Sequence, residues 1–144
     1  MRISPNFDLS EFTTSQTAAR LGISNVPPGF VIENLAKTAE LLEEVRKVLG
    51  KPILISSGYR SREVNAAVGG AANSAHLTGQ AADFTSPGAG SPMTVASIIA
   101  GTPGLEFDQL ILEFPPTGWV HIAWRDNPRQ QILTIDRNGT REGL

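Results

Sequence analysis

The chain contains no cysteine, so disulfide bridges, thiol nucleophiles and thiolate metal ligands are all excluded. It also lacks a basic excess: 12 lysines and arginines stand against 14 acids, and the formal net charge is −2. A domain that binds nucleic acid usually carries an excess of positive charge, so this balance favours a function without nucleic acid. No stretch approaches the ~18 consecutive apolar residues of a transmembrane helix. We therefore expect no membrane span.

The length of the chain leaves little room for a second folding unit. Its 144 residues, 40% of them hydrophobic, suffice for one compact domain that buries a core without disulfides or a partner chain. We expect a single domain over residues 1–144 that acts as a monomer. The N-terminal stretch MRISPNFDLSEF lacks the apolar segment of a secretory signal, so no signal peptide is expected.

The clearest predicted helix lies between Ile32 and Leu49, where apolar residues recur with a 3.6-residue period and charged residues occupy the other face. Shorter helices are predicted at 9–22, 61–68 and 93–100, and strands at 52–56, 80–84, 108–114, 119–124 and 130–135. Helices come early and strands come late, without regular alternation. This order predicts an α+β fold, in which a mainly antiparallel sheet has helices packed on one face.

The segment from Ser74 to Asp83 contains the first candidate site residues. His76 lies in a stretch rich in glycine, alanine and asparagine, whose backbone can bend around an ion. Asp83 lies on a predicted strand with Ala81 on the same side, so a small methyl group leaves room beside the carboxylate. Taken alone, an aspartate in such a position more often ends a strand than binds a ligand.

The chain has only two histidines, and the second, His121, lies in the apolar run 119–124. A lone histidine in such a strand is usually structural. Together with His76 and Asp83, however, it offers two imidazoles and one carboxylate, which are normal ligands of zinc. Three such ligands leave the fourth tetrahedral position for water, as in catalytic rather than structural zinc sites.

Three segments of the chain follow one another in a specific order. They are Ser56-Ser57-Gly58-Tyr59-Arg60-Ser61, the pattern Ser-x-His-x-x-Gly-x-Ala-x-Asp at 74–83, and Trp-Val-His at 119–121. Together they resemble the zinc D-Ala-D-Ala carboxypeptidase family, which includes cell-wall peptidases and shares its metal site with hedgehog signalling domains. The resemblance runs from about residue 7 to residue 125. Segments such as 108–113 are similar to the phage-type branch of the family.

The resemblance implies a hedgehog/DD-peptidase-like fold with zinc held by His76, Asp83 and His121. It implies hydrolysis of amide bonds in peptidoglycan stem peptides, by a D-Ala-D-Ala carboxypeptidase or an endolysin-like cell-wall endopeptidase. Arg60 is expected to contact the substrate or developing negative charge, because a guanidinium grips a carboxylate or an oxyanion with paired donors. Ser74 is expected either to bind substrate or to shape the loop.

The general base is where the chain departs from the family pattern. Many members carry an acid three residues before the last histidine, and that position is Gly118 here. Glu113 is the only acid between Asp108 and His121. We therefore expect Glu113 to be the catalytic base that takes a proton from water at the zinc. Otherwise it is a surface glutamate on a strand.

The hairpin predicted around residues 115–118 decides whether Glu113 can act in this way. A simple four-residue loop pairs residue 112 with His121 and turns Glu113 to the opposite face. A loop of odd length, or a bulge, brings Glu113 and His121 to one face instead. The sequence leaves both possibilities open.

Two other interpretations accompany this one. The first is a zinc-bearing cell-wall or protein binding module without catalysis, as in hedgehog domains, and it rests on the missing acid at Gly118. The second is a metal-free interaction domain, against which the three intact ligands count. The small size and the lack of a signal are similar to phage lysis enzymes. By that analogy the protein is phage-encoded, or cytoplasmic until it is released to the cell wall.

Overall fold

The computed structural model describes residues 1–144, which form a two-stranded hairpin, a six-stranded sheet and five α-helices. The strands are β1 Arg2–Ser4, β2 Phe7–Asp8, β3 Leu54–Ser57, β4 Ala81–Thr85, β5 Gln109–Glu113, β6 Trp119–Ala123, β7 Gln131–Asp136 and β8 Gly139–Glu142. The helices are α1 Leu9–Thr13, α2 Gln16–Leu21, α3 Gly29–Leu49, α4 Arg62–Ala67 and α5 Pro92–Ala100, and a 3-10 turn spans Ala75–Thr78. None of these helices is both long enough and apolar enough to cross a membrane.

The large sheet has the strand order β3-β4-β6-β5-β7-β8. Every neighbouring pair is antiparallel except β5 and β7, which run parallel. The predicted α+β fold with a mainly antiparallel sheet is therefore confirmed.

The two faces of this sheet have different roles, because side chains alternate along a strand. One face packs against α3 and α5 and forms the hydrophobic core. Its sheet residues are fully buried: Ala82, Phe84, Leu110, Leu112, Val120 and Ile122. The residues between them on the central strands, among them Asp83, Glu113 and His121, consequently point away from the core.

The predicted helix at 32–49 exists and begins slightly earlier, at Gly29 after Pro28. It ends at Gly50, which adopts a left-handed conformation (φ 68°) and donates its N–H to the carbonyl of Arg46. Glycine tolerates this conformation without steric cost, which explains the stop.

The single helix predicted at 9–22 is wrong. The chain forms two short helices there, because Thr14 is extended and Ser15 starts a new helix by accepting the N–H of Ala18. The first helix is capped by Asp8, whose carboxylate accepts the N–H of Ser10. Strands β1, β2 and β8 were not predicted either, because each is short and shows little hydrophobic alternation.

The β5–β6 hairpin has the register on which the position of the predicted base depends. Ile111 pairs with His121, and Glu113 pairs with Trp119, so the connecting loop is 114–118 and has five residues. The simple four-residue loop is wrong, and the odd-length alternative holds. Glu113 and His121 therefore share one face of the sheet.

Candidate active site

Three buried polar side chains meet on the face of the sheet that points away from the core. Asp83 and His121 pair directly across β4 and β6, and His76 lies in the 3-10 turn that precedes β4. Their exposed fractions are only 2% for His76, 5% for Asp83 and 8% for His121. One ligand atom from each lies within 4.8 Å of the others, so this group could hold a metal ion.

A backbone contact fixes the orientation of His76. Its Nδ1 lies 2.7 Å from the carbonyl oxygen of Gly58, and because a carbonyl only accepts, Nδ1 carries the proton. In the neutral imidazole the lone pair is then on Nε2. This Nε2 is buried and has no hydrogen-bond partner. A histidine whose other nitrogen is bound to a carbonyl is arranged as metal-ligating histidines usually are.

Asp83 joins the two histidines through a single oxygen atom. Its Oδ1 lies 3.3 Å from Nε2 of His76 and 3.0 Å from Nδ1 of His121. Atoms that share one zinc at about 2.0–2.2 Å in a tetrahedral site lie roughly 3–3.5 Å apart, so these side chains fit that ion. Burial alone raises the pKa of Asp83, but the neighbouring His76 and His121 outweigh it and hold the pKa well below its usual range.

Arg60 lies beside this group and is held by three side chains. Its Nη2 is 3.4 Å from Oδ2 of Asp83, the oxygen that the histidines do not contact. Its Nη1 donates to Asn65 at 3.1 Å, and its Nε donates to Ser57 at 3.3 Å. The guanidinium is thereby fixed at the edge of the candidate metal group. The sequence pattern indicated Arg60 but gave no sign of Asn65.

Ser74 caps the 3-10 turn that carries His76. Its hydroxyl accepts the N–H of His76 at 3.2 Å, which corresponds to the loop-shaping role considered from the sequence. The same turn is tied to the Arg60 segment, because the N–H of Arg60 donates to the carbonyl of His76 at 3.0 Å. This backbone hydrogen bond joins the two sequence motifs directly.

Glu113 lies on the same sheet face as His121, and its carboxylate accepts a hydrogen bond from the indole N–H of Trp119. Burial raises the pKa of Glu113, and the nearby Asp83 carboxylate raises it further. His121 and the Trp119 donor act in the opposite direction, but the net shift is upward. The contact with Trp119 was not foreseen, because it depends on the register of the hairpin.

Gly118, where the family pattern predicted an acid, has no space for a side chain. A Cβ at this position lies 1.8 Å from the carbonyl oxygen of Glu113 and 2.7 Å from that of Phe114. Both contacts are to backbone and cannot be relieved by rotating a side chain. The five-residue loop therefore requires glycine at 118, and the carboxylate on this side of the site comes from Glu113 instead.

These side chains surround one cleft of about 1200 Å³. Arg60, Ser74, His76, Glu113 and His121 all line it. Asp83 lies behind Arg60 and lines a smaller pocket of about 620 Å³, which shares Tyr59 and Arg60 with the main cleft.

Asp108, another acid at the cleft, is already engaged by arginines. Arg129 donates to both of its oxygens, at 2.9 and 2.8 Å, and these hydrogen bonds lower the pKa of Asp108. A carboxylate held in this way is a poor proton acceptor.

The comparisons with known proteins agree with this geometry. The family model described as Peptidase M15 matches residues 5–123, which include all the candidate site residues. The chain belongs to the peptidase M15 family. The predicted family is confirmed, and with it a peptidase as the class of enzyme.

A stretch of 59 residues of this M15 peptidase is 46% identical to a zinc D-Ala-D-Ala carboxypeptidase from Streptomyces albus G. The match covers 40% of this chain and 22% of that relative, so the chain spans about a fifth of the length of the curated protein. The zinc named for the relative agrees with the group of two histidines and one aspartate. Zinc as the cofactor is confirmed.

Proposed function

We propose that residues 1–144 form a single, monomeric zinc peptidase domain that hydrolyses amide bonds in peptidoglycan stem peptides. His76, Asp83 and His121 would hold the zinc. The observation that carries this proposal is the buried, unpartnered Nε2 of His76, which lies 3.3 Å from Oδ1 of Asp83 beside His121. The family membership and the carboxypeptidase relative give the same class of reaction.

When bound, zinc supplies Lewis-acid chemistry, which polarises a carbonyl group and acidifies water. Glu113 acts as the general base: it accepts a proton from the attacking water and passes it to the leaving amine. Its raised pKa supports this role, because a carboxylate with a pKa nearer to neutrality is a stronger base. The indole of Trp119 orients the carboxylate.

Arg60, which lies beside Asp83, binds the negative charge of the substrate. Its side chain is 17% exposed and lines the cleft, while Ser57, Asn65 and Asp83 fix its direction. A fixed guanidinium can hold a peptide carboxylate or stabilise the oxyanion of the transition state without reorganising. Ser74, also on the cleft wall, contributes a hydroxyl to substrate binding.

The alternative of a zinc-bearing binding module without catalysis rests on the missing acid at Gly118. Glu113 offers a half-buried carboxylate on the sheet face of His121. This favours catalysis over binding alone.

The bond that is cut is either the terminal D-Ala-D-Ala bond or an amide within the stem peptide. Trimming of the terminal residue and an endolysin-like role in cell-wall degradation both fit a cleft of this size. Digestion of purified peptidoglycan, followed by mass spectrometry of the products, tests the function. We expect zinc-dependent release of D-alanine or of cut stem peptides, and the absence of any new product would contradict the proposal.

A further inference from the structure

Two arginines that line the cleft share a single buried carboxylate. Asp108 immediately precedes β5 and is 5% exposed. Arg129 grips it with two bonds, Nε to Oδ1 at 2.9 Å and Nη2 to Oδ2 at 2.8 Å. Arg125 approaches the same Oδ1 through its Nε, at 3.3 Å. All three line the cleft, and we call them the arginine bracket.

The arginine bracket carries more positive charge than is needed to neutralise the Asp108 carboxylate. Arg129 alone satisfies both oxygens of Asp108, so Arg125 is not needed to neutralise the buried carboxylate. Two guanidinium groups beside one carboxylate repel each other and leave one positive charge uncompensated. A second anion between them would remove this imbalance.

The free donors of the bracket are available to a ligand in the cleft. The side chains of Arg125 and Arg129 are 48% and 45% exposed. The structure gives no hydrogen-bond partner to either terminal nitrogen of Arg125 or to Nη1 of Arg129. A guanidinium with free terminal nitrogens binds a carboxylate through two parallel hydrogen bonds.

The arginine bracket lies within the length of a short peptide from the candidate metal group. Arg125 lies four residues after His121, so their α-carbons are at most about 14 Å apart. Both residues line the same cleft. An extended peptide spans this distance with about four residues.

We propose that the arginine bracket binds a carboxylate within the peptide substrate, up to about four residues from the bond that is cut. This inference rests on the proposed function and deepens it, because it makes the substrate an acidic peptide. Arg60 lies beside Asp83 and serves the reacting end of the peptide, whereas the bracket serves a second negative charge farther along it. Stem peptides carry such free carboxylates.

Binding measurements on the zinc-loaded Glu113→Gln chain test this site independently of turnover. The probes are a synthetic stem pentapeptide with its interior carboxylate free and the same peptide with that carboxylate amidated. We expect the free acid to bind about 5–10-fold more tightly than the amide. Adding Arg125→Gln should abolish this difference by weakening only the free acid, since Arg129 still holds Asp108 in place.

The matched control is Arg137→Gln, which removes the same charge from a residue outside the cleft. It should leave the preference for the free acid unchanged. Equal affinity for acid and amide, or an equal loss for both peptides in Arg125→Gln, would overturn the inference. Failure of the free-acid peptide to bind would overturn it as well. Turnover of whole peptidoglycan by the unaltered chain tests the proposed function separately from all of these outcomes.

Discussion

His76 and Arg60 are each oriented by contacts with residues outside the candidate metal group. His76 is held by the carbonyl of Gly58, and its own carbonyl accepts the N–H of Arg60. The Arg60 side chain is held by Asn65 and Ser57 as well as by Asp83. Removing one side chain therefore leaves the backbone bonds that position its neighbours.

Replacing Arg60 tests whether its guanidinium acts on the substrate or only supports the fold. We expect Arg60→Ala to keep the zinc and the fold, because the backbone bond between residues 60 and 76 remains. We expect kcat/KM to fall by roughly 10²-fold or more, the size of effect seen when a donor to developing charge is lost. Arg60→Lys should rescue only partly, because a point charge cannot replace the planar fork. Unchanged kinetics in Arg60→Ala would contradict a role in binding or catalysis.

Replacing Trp119 tests whether Glu113 acts in its deprotonated form. Glu113 must be deprotonated to accept a proton. Because its pKa is raised, it becomes protonated at a higher pH than an ordinary glutamate does, and activity is lost there as the pH falls. The indole N–H favours the anion, so Trp119→Phe should raise the pKa further and move the acidic limb of the kcat/KM profile to higher pH. The ring can still pack near Phe114. An acidic limb that stays in place or moves to lower pH contradicts this account.

The β5–β6 hairpin is the element that brings the base and the candidate ligands to one face. Its loop of five residues sets the pairing of Glu113 with Trp119 and of Ile111 with His121. A shift of one residue would turn Glu113 into the core face, where its neighbours in β5 are fully buried leucines.

Gly118→Ala tests how strongly the hairpin depends on the absence of a side chain. The new Cβ would lie 1.8 Å from the carbonyl oxygen of Glu113, so the backbone must move. We expect the free energy of unfolding to fall by about 1–3 kcal/mol and turnover to fall with it, while zinc is retained. Gly29→Ala is the control, because nothing lies within 4 Å of a Cβ there. Equal stability and activity of the two variants would show that the loop is not constrained as described.

The sequence predicts the elements of this fold better than their connections. The long helix and the central strands follow from hydrophobic periodicity, because each buries one continuous apolar stripe or face. The break at Thr14 and Ser15 was missed, because a local cap competes with a pattern that permits one longer helix. The sequence also could not show whether the hairpin loop has an odd or an even number of residues, since this depends on the close approach of Gly118 to the backbone.

The candidate site shows the same division. His76, Asp83, His121 and Arg60 are recognisable because their spacing within two short motifs is specific. Other contacts at the site, such as those of Asn65 with Arg60 and of Trp119 with Glu113, depend on how the chain folds. No sequence pattern predicts them.

Across the whole molecule, one face of the sheet supplies stability and the other supplies chemistry. The core face is covered by α3 and α5, whereas the opposite face carries buried polar groups. The side chains of His76, Asp83 and His121 are buried, and Nε2 of His76 has no hydrogen bond to compensate for its desolvation. Metal binding should therefore contribute to the stability of the whole domain.

Removing the zinc should lower the melting temperature. Ligand at about 100 times its Kd stabilises by ~2.7 kcal/mol, and a domain near this size shifts by about 2–4 °C for each kcal/mol. We therefore expect chelation to lower Tm by roughly 5–10 °C, measured by calorimetry. His121→Ala should melt at the same temperature with and without chelator. A wild-type Tm that does not respond to chelation would argue against this metal centre.

The most direct test of the account is the turnover of the Glu113→Gln chain with its zinc content measured in the same sample. Glutamine keeps the volume of the side chain and its contact with Trp119, but it cannot take a proton from water. We expect one equivalent of zinc, as in a three-ligand site, with hydrolysis of peptidoglycan stem peptides lowered by about 10²-fold or more. Near wild-type hydrolysis by zinc-replete Glu113→Gln would contradict it.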